Sequence, residues 1–85
     1  MIRNYLIANY DPEVTMAKAV SKNVNPHTRN IMQIFNPRRT FLGSGKVWWL
    51  SIVVDEDGYV LLTDWLTAEQ ATVRFVTHPE TTIEL

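Results

Sequence analysis

Two apolar-rich runs, separated by a short acidic segment, dominate the middle of the chain. The runs are Lys46–Val54 and Tyr59–Trp65, and the segment between them ends in Asp57-Gly58. Side chains alternate between the two faces of a strand, and Asp-Gly is a strong hairpin signal. The pattern therefore predicts an antiparallel β-hairpin over Lys46–Trp65.

Pairing across a turn at Asp57-Gly58 assigns each residue of this hairpin to a face. The predicted pairs are Glu56–Tyr59, Val54–Leu61, Ile52–Thr63, Ser51–Asp64 and Leu50–Trp65. The first face then carries Trp48, Leu50, Ile52, Val54, Tyr59, Leu61, Thr63 and Trp65. The second face carries Val47, Trp49, Ser51, Val53, Val60, Leu62 and Asp64. A three-residue loop would instead invert one strand relative to the other.

The second face is unusual because most of its residues are large and apolar. Strands that face water usually alternate apolar and polar residues more regularly. A cover is therefore expected, either from a loop or helix of the same chain or from a second copy or another protein. Phe41 and Leu42, in the loop Arg38–Gly45, are candidates for a cover from the same chain.

Helix and strand signals precede the hairpin. Ile2–Asn9 is rich in strand-forming residues. Asp11-Pro12 predicts the start of a helix, and Asn25-Pro26 predicts its end. Near-helical spacing between these points relates Val14, Ala17, Val20 and Val24.

Two further segments allow more than one interpretation. Residues 26–36 fit a second helix, with Asn25 as its cap and Pro26 at its first position, or an irregular strand. Thr67–Gln70 has the pattern of a capping box and predicts a helix that closes at Pro79, although the alternation over residues 72–77 also permits a strand. Thr81–Leu85 is predicted as a short final strand.

The predicted elements fit one small α+β domain spanning residues 1–85. Their order is strand, helix, ambiguous short helix or strand, strand, strand, helix, strand. Without the ambiguous segment, this order resembles the split β-α-β arrangement of ferredoxin-like folds. The resemblance implies an antiparallel sheet with two helices on one face and the other face open, but it implies no particular chemistry.

Composition fits a globular chain and excludes several kinds of site. Of the 85 residues, 46% are hydrophobic and none is cysteine, so disulfides, cysteine-ligated zinc and thiol catalysis are excluded. No apolar run approaches the ~18 residues of a membrane helix. The N-terminal residues also lack the apolar core of a signal peptide. We therefore expect a cytoplasmic protein without membrane contact.

Charge is distributed unevenly along the chain, although its net value is only −1. All six charged residues from Lys18 to Lys46 are basic. With the neighbouring aromatic residues, Arg38, Arg39 and Lys46 form a segment of the kind that contacts nucleic acid. The slightly acidic overall charge argues against a dedicated nucleic-acid-binding domain.

Catalytic and metal-binding patterns are weak in this chain. His27 and His78 are the only histidines, and neither lies in a recognisable catalytic motif. Asp55–Gly58 is a tight turn and not a calcium loop flanked by helices. Gly43–Lys46 lacks the first glycine of a P-loop and leads into a strand. We therefore expect no enzyme activity, no cofactor and no metal ion.

The combined pattern favours a non-enzymatic regulator or inhibitor that acts by surface contact on a larger protein, a role that would suit a phage or mobile-element protein. Aromatic residues and arginine are common anchors of protein interfaces. The predicted partner-binding residues are Arg38, Arg39, Phe41, Lys46, Trp49, Val53 and Leu62. A homodimer through the second face fits this interpretation. Nucleic-acid binding through the Arg38–Lys46 loop is the alternative.

Overall fold

Four strands and three helices make up the part of the chain that the structure describes. The structure is a computed structural model, and it describes residues 1–35 and 48–85. The elements are β1 (Arg3–Ala8), α1 (Pro12–Ser21), α2 (Pro26–Ile34), β2 (Trp48–Val54), β3 (Val60–Thr67), α3 (Ala68–Thr77) and β4 (Thr82–Glu84). The predicted α+β class is confirmed. Of the two ambiguous segments, residues 26–34 and 72–77 are helical.

Each helix begins at the cap that the sequence predicts. The side chains of Asp11 and Asn25 accept a hydrogen bond from the amide two residues later, at 3.0 and 2.8 Å. Thr67 and Gln70 form the reciprocal capping box. These bonds satisfy amides that otherwise have no partner at the start of a helix.

Helix α1 is shorter than predicted and buries a different face. It ends at Ser21, because Asn23 adopts a left-handed backbone conformation with φ 55° and turns the chain. Its buried residues are Thr15 and Ala19, whereas Val20 is 53% exposed although it lies on the predicted apolar stripe. Ala19 belongs to the core cluster of the first sheet face.

The sheet is mixed and not antiparallel as predicted. Its strand order is β3-β2-β1-β4; β2 is antiparallel to β1 and β3, and β4 is parallel to β1. Two helices between β1 and β2 bring the chain back antiparallel, whereas the single helix α3 joins the parallel strands β3 and β4. The arrangement therefore differs from a ferredoxin-like one, in which a single helix joins the first strand to a parallel one.

Helices cover both faces of the sheet. The larger core lies under α1 and α2 and contains Tyr5, Ile7, Tyr10, Ala19, Val24, Met32, Leu50, Ile52, Val54 and Leu85. Two helices thus share one face, as predicted, but the C-terminal helix is not one of them. Helix α3 packs on the opposite face, over Leu6 and Leu66, because α1 and α2 already fill the first face.

The hairpin turn contains three residues, which shifts the start of β3 relative to the prediction. The Asp55 amide donates to the Tyr59 carbonyl at 3.0 Å, and the Gly58 amide donates to the Asp55 carbonyl at 3.1 Å. Gly58 has a left-handed backbone with φ 83°. This is the geometry of a type I turn followed by a bulged glycine. The predicted pair of Glu56 with Tyr59 is therefore wrong.

A β-bulge at Leu61 restores the predicted register. Val54 pairs with Val60 and not with Leu61 as predicted, and Val53 pairs with Leu62, so that Leu61 is the extra residue. The pairs predicted farther from the turn are confirmed. Val60 packs against the core of the first face, contrary to its predicted place on the second face.

The turn is held against the start of α2. The Asn25 Nδ2 atom donates to the Asp57 carbonyl at 2.9 Å, and the buried Thr28 hydroxyl donates to the Gly58 carbonyl. A Cβ atom on Gly58 would lie 2.6 Å from the Asn25 Cβ. The backbone therefore approaches α2 closely enough that glycine is required at this position.

Candidate interaction surface

Helix α3 supplies part of the cover that the sequence predicts for the second sheet face. Trp49 packs with Phe75 of this helix in an edge-to-face contact, with ring centroids 5.7 Å apart. The pair lies beside the buried residues Leu6, Leu66 and Ala71. The cover over Trp49 thus comes from the same chain, which is one of the two alternatives that the sequence leaves open. Cover by Phe41 and Leu42 falls outside the described residues.

The predicted partner-binding residues divide into two groups. Four of them lie outside the described residues: Arg38, Arg39, Phe41 and Lys46. Trp49 is half-buried in the cluster under α3. Val53 and Leu62 are cross-strand neighbours on β2 and β3; Val53 is half-buried, whereas Leu62 is exposed. Part of the second face therefore stays open beyond the reach of α3.

An exposed apolar surface follows β3 on this open side. Leu61 and Leu62 are 56% and 58% exposed, and Val73 on α3 is 60% exposed. Arg74 lies between β2 and the exposed side of α3. It lines one cleft together with Val53 and a second cleft together with Val73. We use the name β3 surface for five residues: Val53, Leu61, Leu62, Val73 and Arg74.

The β3 strand is an edge of the sheet, and its protection against pairing consists of the bulge at Leu61 and a single charge. It is eight residues long, and Asp64 is its only charged residue. The other edge, β4, contains only three residues. Within residues 1–35 and 48–85, no strand pairs with the outer side of β3. An edge strand with few charges presents free main-chain groups to a second strand.

A short polar relay fixes Arg74 beside the β3 surface. The Arg74 Nη1 atom donates to Asn4 Oδ1 at 2.7 Å, and Asn4 Nδ2 donates to Ser51 Oγ at 2.8 Å. Asn4 and Ser51 are 6% and 2% exposed. The sequence pattern predicted no role for Asn4 or Arg74. A signal was present, because Asn4 and Ser51 are polar residues inside otherwise apolar strands.

A cleft of about 300 Å³ opens beside the Arg74 guanidinium. It is lined by Ile2, Arg3, Asn4, Val53, Arg74, His78, Thr81 and Thr82. No acidic residue is among them. Arg3 precedes Asn4 on β1, so its side chain projects toward the other sheet face. We call this site the Arg74 cleft.

Charges across the described residues are mostly unpaired. The one ion pair in this part of the molecule joins the N-terminal amine to the Glu56 carboxylate at 3.6 Å, and both groups are exposed. Arg74 and Asp64 make no ion pair with each other or with another described residue. Arg74 therefore keeps most of its hydrogen-bonding capacity.

The two histidines occupy ordinary surface positions. The His27 ring packs against the Tyr59 ring, with centroids 5.1 Å apart. His78 Nδ1 lies 2.8 Å from the Thr77 hydroxyl, but that hydroxyl donates to the Val73 carbonyl at 2.8 Å. The Thr77 proton is thus engaged with the backbone, and this pair is not arranged as a nucleophile and a base.

Neither a metal site nor a membrane span was found in residues 1–35 and 48–85. No three residues among their histidines, aspartates and glutamates are grouped to hold a metal ion. No helix there is sufficiently long and apolar to cross a bilayer.

The chain matches no protein-family model, no curated protein and no solved structure. The β3 surface and the Arg74 cleft are therefore the features that bear on function.

Proposed function

We propose that this protein is a non-enzymatic regulator or inhibitor that binds a larger protein through the β3 surface. The observation that carries the proposal is the pair Leu61 and Leu62, adjacent residues of an edge strand that are both more than half exposed. A cytoplasmic setting and an origin in a phage or mobile element are further parts of the proposal.

The β3 surface offers a partner both apolar area and main-chain groups. Full burial of a leucine side chain contributes about 1.5–3 kcal/mol, so two adjacent leucines are a substantial anchor. A partner strand beside β3 would add main-chain hydrogen bonds to this apolar contact. Natural edge strands avoid such pairing with charges, prolines or bulges; β3 has one charge, Asp64, and no proline, and its bulge lies at Leu61. These features support a partner that extends the sheet beyond β3.

Affinity capture with matched variants tests the proposal. The wild-type protein, Leu62→Lys and Val20→Lys would be immobilised and exposed to an extract of the source cells. Val20 is a suitable control because it is 53% exposed on α1, away from the β3 surface. We expect one set of proteins to be retained by the wild type and Val20→Lys and lost with Leu62→Lys. Equal retention by all three proteins would contradict the proposal.

Nucleic-acid binding through the Arg38–Lys46 loop is the second candidate, favoured by the run of six basic residues from Lys18 to Lys46. It requires binding to mixed oligonucleotides that weakens with salt, because phosphate contacts release counterions. The double variant Arg38→Ala/Arg39→Ala should then bind more weakly. Absence of binding at low salt would exclude this candidate.

A further inference from the structure

We propose that the Arg74 cleft binds a carboxylate, supplied by an aspartate or glutamate side chain of the protein that docks on the β3 surface. The source of the carboxylate rests on the proposed function. The preference of the cleft for a carboxylate is argued from its own geometry and can be tested without the partner.

The Arg74 guanidinium has unused donors. An arginine side chain carries five N–H groups, and the described residues account for one hydrogen bond, from Nη1 to Asn4 Oδ1. No described carboxylate lies within ion-pair distance. A planar guanidinium with free donors matches the two oxygens of a carboxylate in a bidentate pair.

The guanidinium is also held in place before any ligand arrives. Asn4, which accepts from Arg74, is itself buried and donates to the buried Ser51 hydroxyl at 2.8 Å. Because both partners lie in adjacent strands of the sheet, the relay is rigid. A preoriented donor loses less conformational entropy on binding than a free surface arginine does.

The surroundings of Arg74 favour a monoanion that carries methylene groups. Val53 and Ile2 provide apolar walls, while the Thr81 hydroxyl makes no hydrogen bond with the described residues and can donate to a ligand. The His78 ring also lines the cleft. An inorganic phosphate has no methylene groups and would leave the Val53 and Ile2 walls uncovered.

The nearby end of α3 opposes anion binding, but its charge is smaller than that of Arg74. The C-terminal end of a helix carries a partial charge equivalent to about −0.5. The Arg74 guanidinium carries a full positive charge, and the Arg74 carbonyl accepts from the His78 amide at 2.9 Å and from the Thr82 hydroxyl at 3.4 Å.

The cleft adjoins the β3 surface directly. Val53 lines the cleft and pairs with Leu62 across β2 and β3. A partner segment with an acidic residue next to apolar residues would therefore cover Leu62 and place its carboxylate at Arg74. Charge complementarity thus specifies an acidic and apolar partner surface.

Nitrogen-15 NMR titration with sodium butyrate tests the cleft, because butyrate has the carboxylate and a chain similar to that of glutamate. We expect shifts centred on Arg74, Thr81 and Thr82, and binding about tenfold weaker in Arg74→Gln. Lys18→Gln, on α1, is the control and should bind as the wild type does. Butyramide, the neutral analogue, should cause no shifts.

Several outcomes would overturn the inference. Shifts unchanged in Arg74→Gln, equal shifts with butyramide, or no shifts at all would each do so. Tighter binding of inorganic phosphate than of butyrate would also contradict it. The NMR spectrum of Arg74→Gln shows whether the variant is folded, and Arg74→Lys provides a second reading if it is not. If Leu62→Lys abolishes protein capture while butyrate fails to bind, the proposed function stands and only the carboxylate site is lost.

Discussion

At the scale of single residues, Tyr10 has the least ordinary environment. Tyr10 is 5% exposed and its ring centroid lies 6.1 Å from that of Trp65, but its hydroxyl has no hydrogen-bond partner among the described residues. Burial, together with the charge of Asp11, raises the pKa of Tyr10 to about 12. An unfolded tyrosine has a pKa near 10, so the unfolded chain releases this proton first as pH rises. The stability contributed by neutral Tyr10 is complete below about pH 10 and is lost between pH 10 and 12.

Replacement of Tyr10 by phenylalanine should remove this pH dependence. We expect the wild type to lose about 2–3 kcal/mol of unfolding free energy through Tyr10 between pH 9 and pH 12, and Tyr10→Phe to lose correspondingly less. Urea denaturation at pH 9, 10, 11 and 12 measures the difference. The exposed Tyr59 gives the control, Tyr59→Phe, which should follow the wild type. Parallel pH curves for Tyr10→Phe and the wild type would show that Tyr10 is not the titrating group.

At the scale of elements, local signals were predicted well and packing faces less well. The caps at Asp11, Asn25 and Thr67 act within a few residues, so the sequence contains all the information they need. Val20 fits an apolar stripe but is exposed, because the approach of α1 to the sheet selects the face with Ala19. Pairing near the turn was misjudged because Gly58 ends a three-residue loop that the Asp-Gly signal does not distinguish from a shorter one.

The capping box of α3 gives an element-scale prediction. Thr67→Ala removes the hydroxyl that accepts from the Gln70 amide at 3.2 Å and should lower the unfolding free energy by about 1 kcal/mol. Thr72→Ala is the control, since Thr72 is an exposed residue within the same helix and its hydroxyl bonds only to the Ala68 carbonyl. Chemical denaturation of the two variants compares them. A loss in Thr72→Ala as large as that in Thr67→Ala would contradict a role of the cap.

Two leucines on β3 test where the cover by α3 ends. Leu66 is 6% exposed beneath α3, whereas Leu62 is 58% exposed. We expect Leu66→Ala to cost about 2–4 kcal/mol of unfolding free energy and Leu62→Ala less than about 1 kcal/mol. Denaturant titration of both variants measures this. Equal losses would mean that α3 covers the strand farther than the structure shows.

At the scale of the whole molecule, the sequence was sufficient for the fold class but not for the topology. The order of elements could be assigned, since each carries its own period or cap. Strand directions depended on whether residues 26–36 were a helix or a strand. Once Pro26–Ile34 is a helix, two helices separate β1 from β2 and the strands become antiparallel. The Arg74 cleft was missed for a related reason, because Asn4 and Arg74 are 70 residues apart and meet only through the topology.

Strand order also predicts a gradient of hydrogen exchange across the sheet. β1 and β2 are the central strands, and their residues Leu6, Leu50 and Ile52 are fully buried. We expect their amides to exchange at least about tenfold more slowly than those of Leu61 and Leu62 at the edge. Native-state exchange followed by NMR measures this. Equal protection of Leu61 and Leu62 in the isolated protein would indicate that their edge is already paired.

The three-residue turn and the Leu61 bulge are two shifts of one residue that cancel each other. Everything on β3 beyond Leu61 keeps its alignment with β2 because the bulge offsets the odd length of the turn. The turn itself is fixed by its bonds to Asn25 and Thr28, so its length and the bulge are set together. Length changes during the divergence of this protein should consequently come in compensating pairs, one at the turn and one at the bulge.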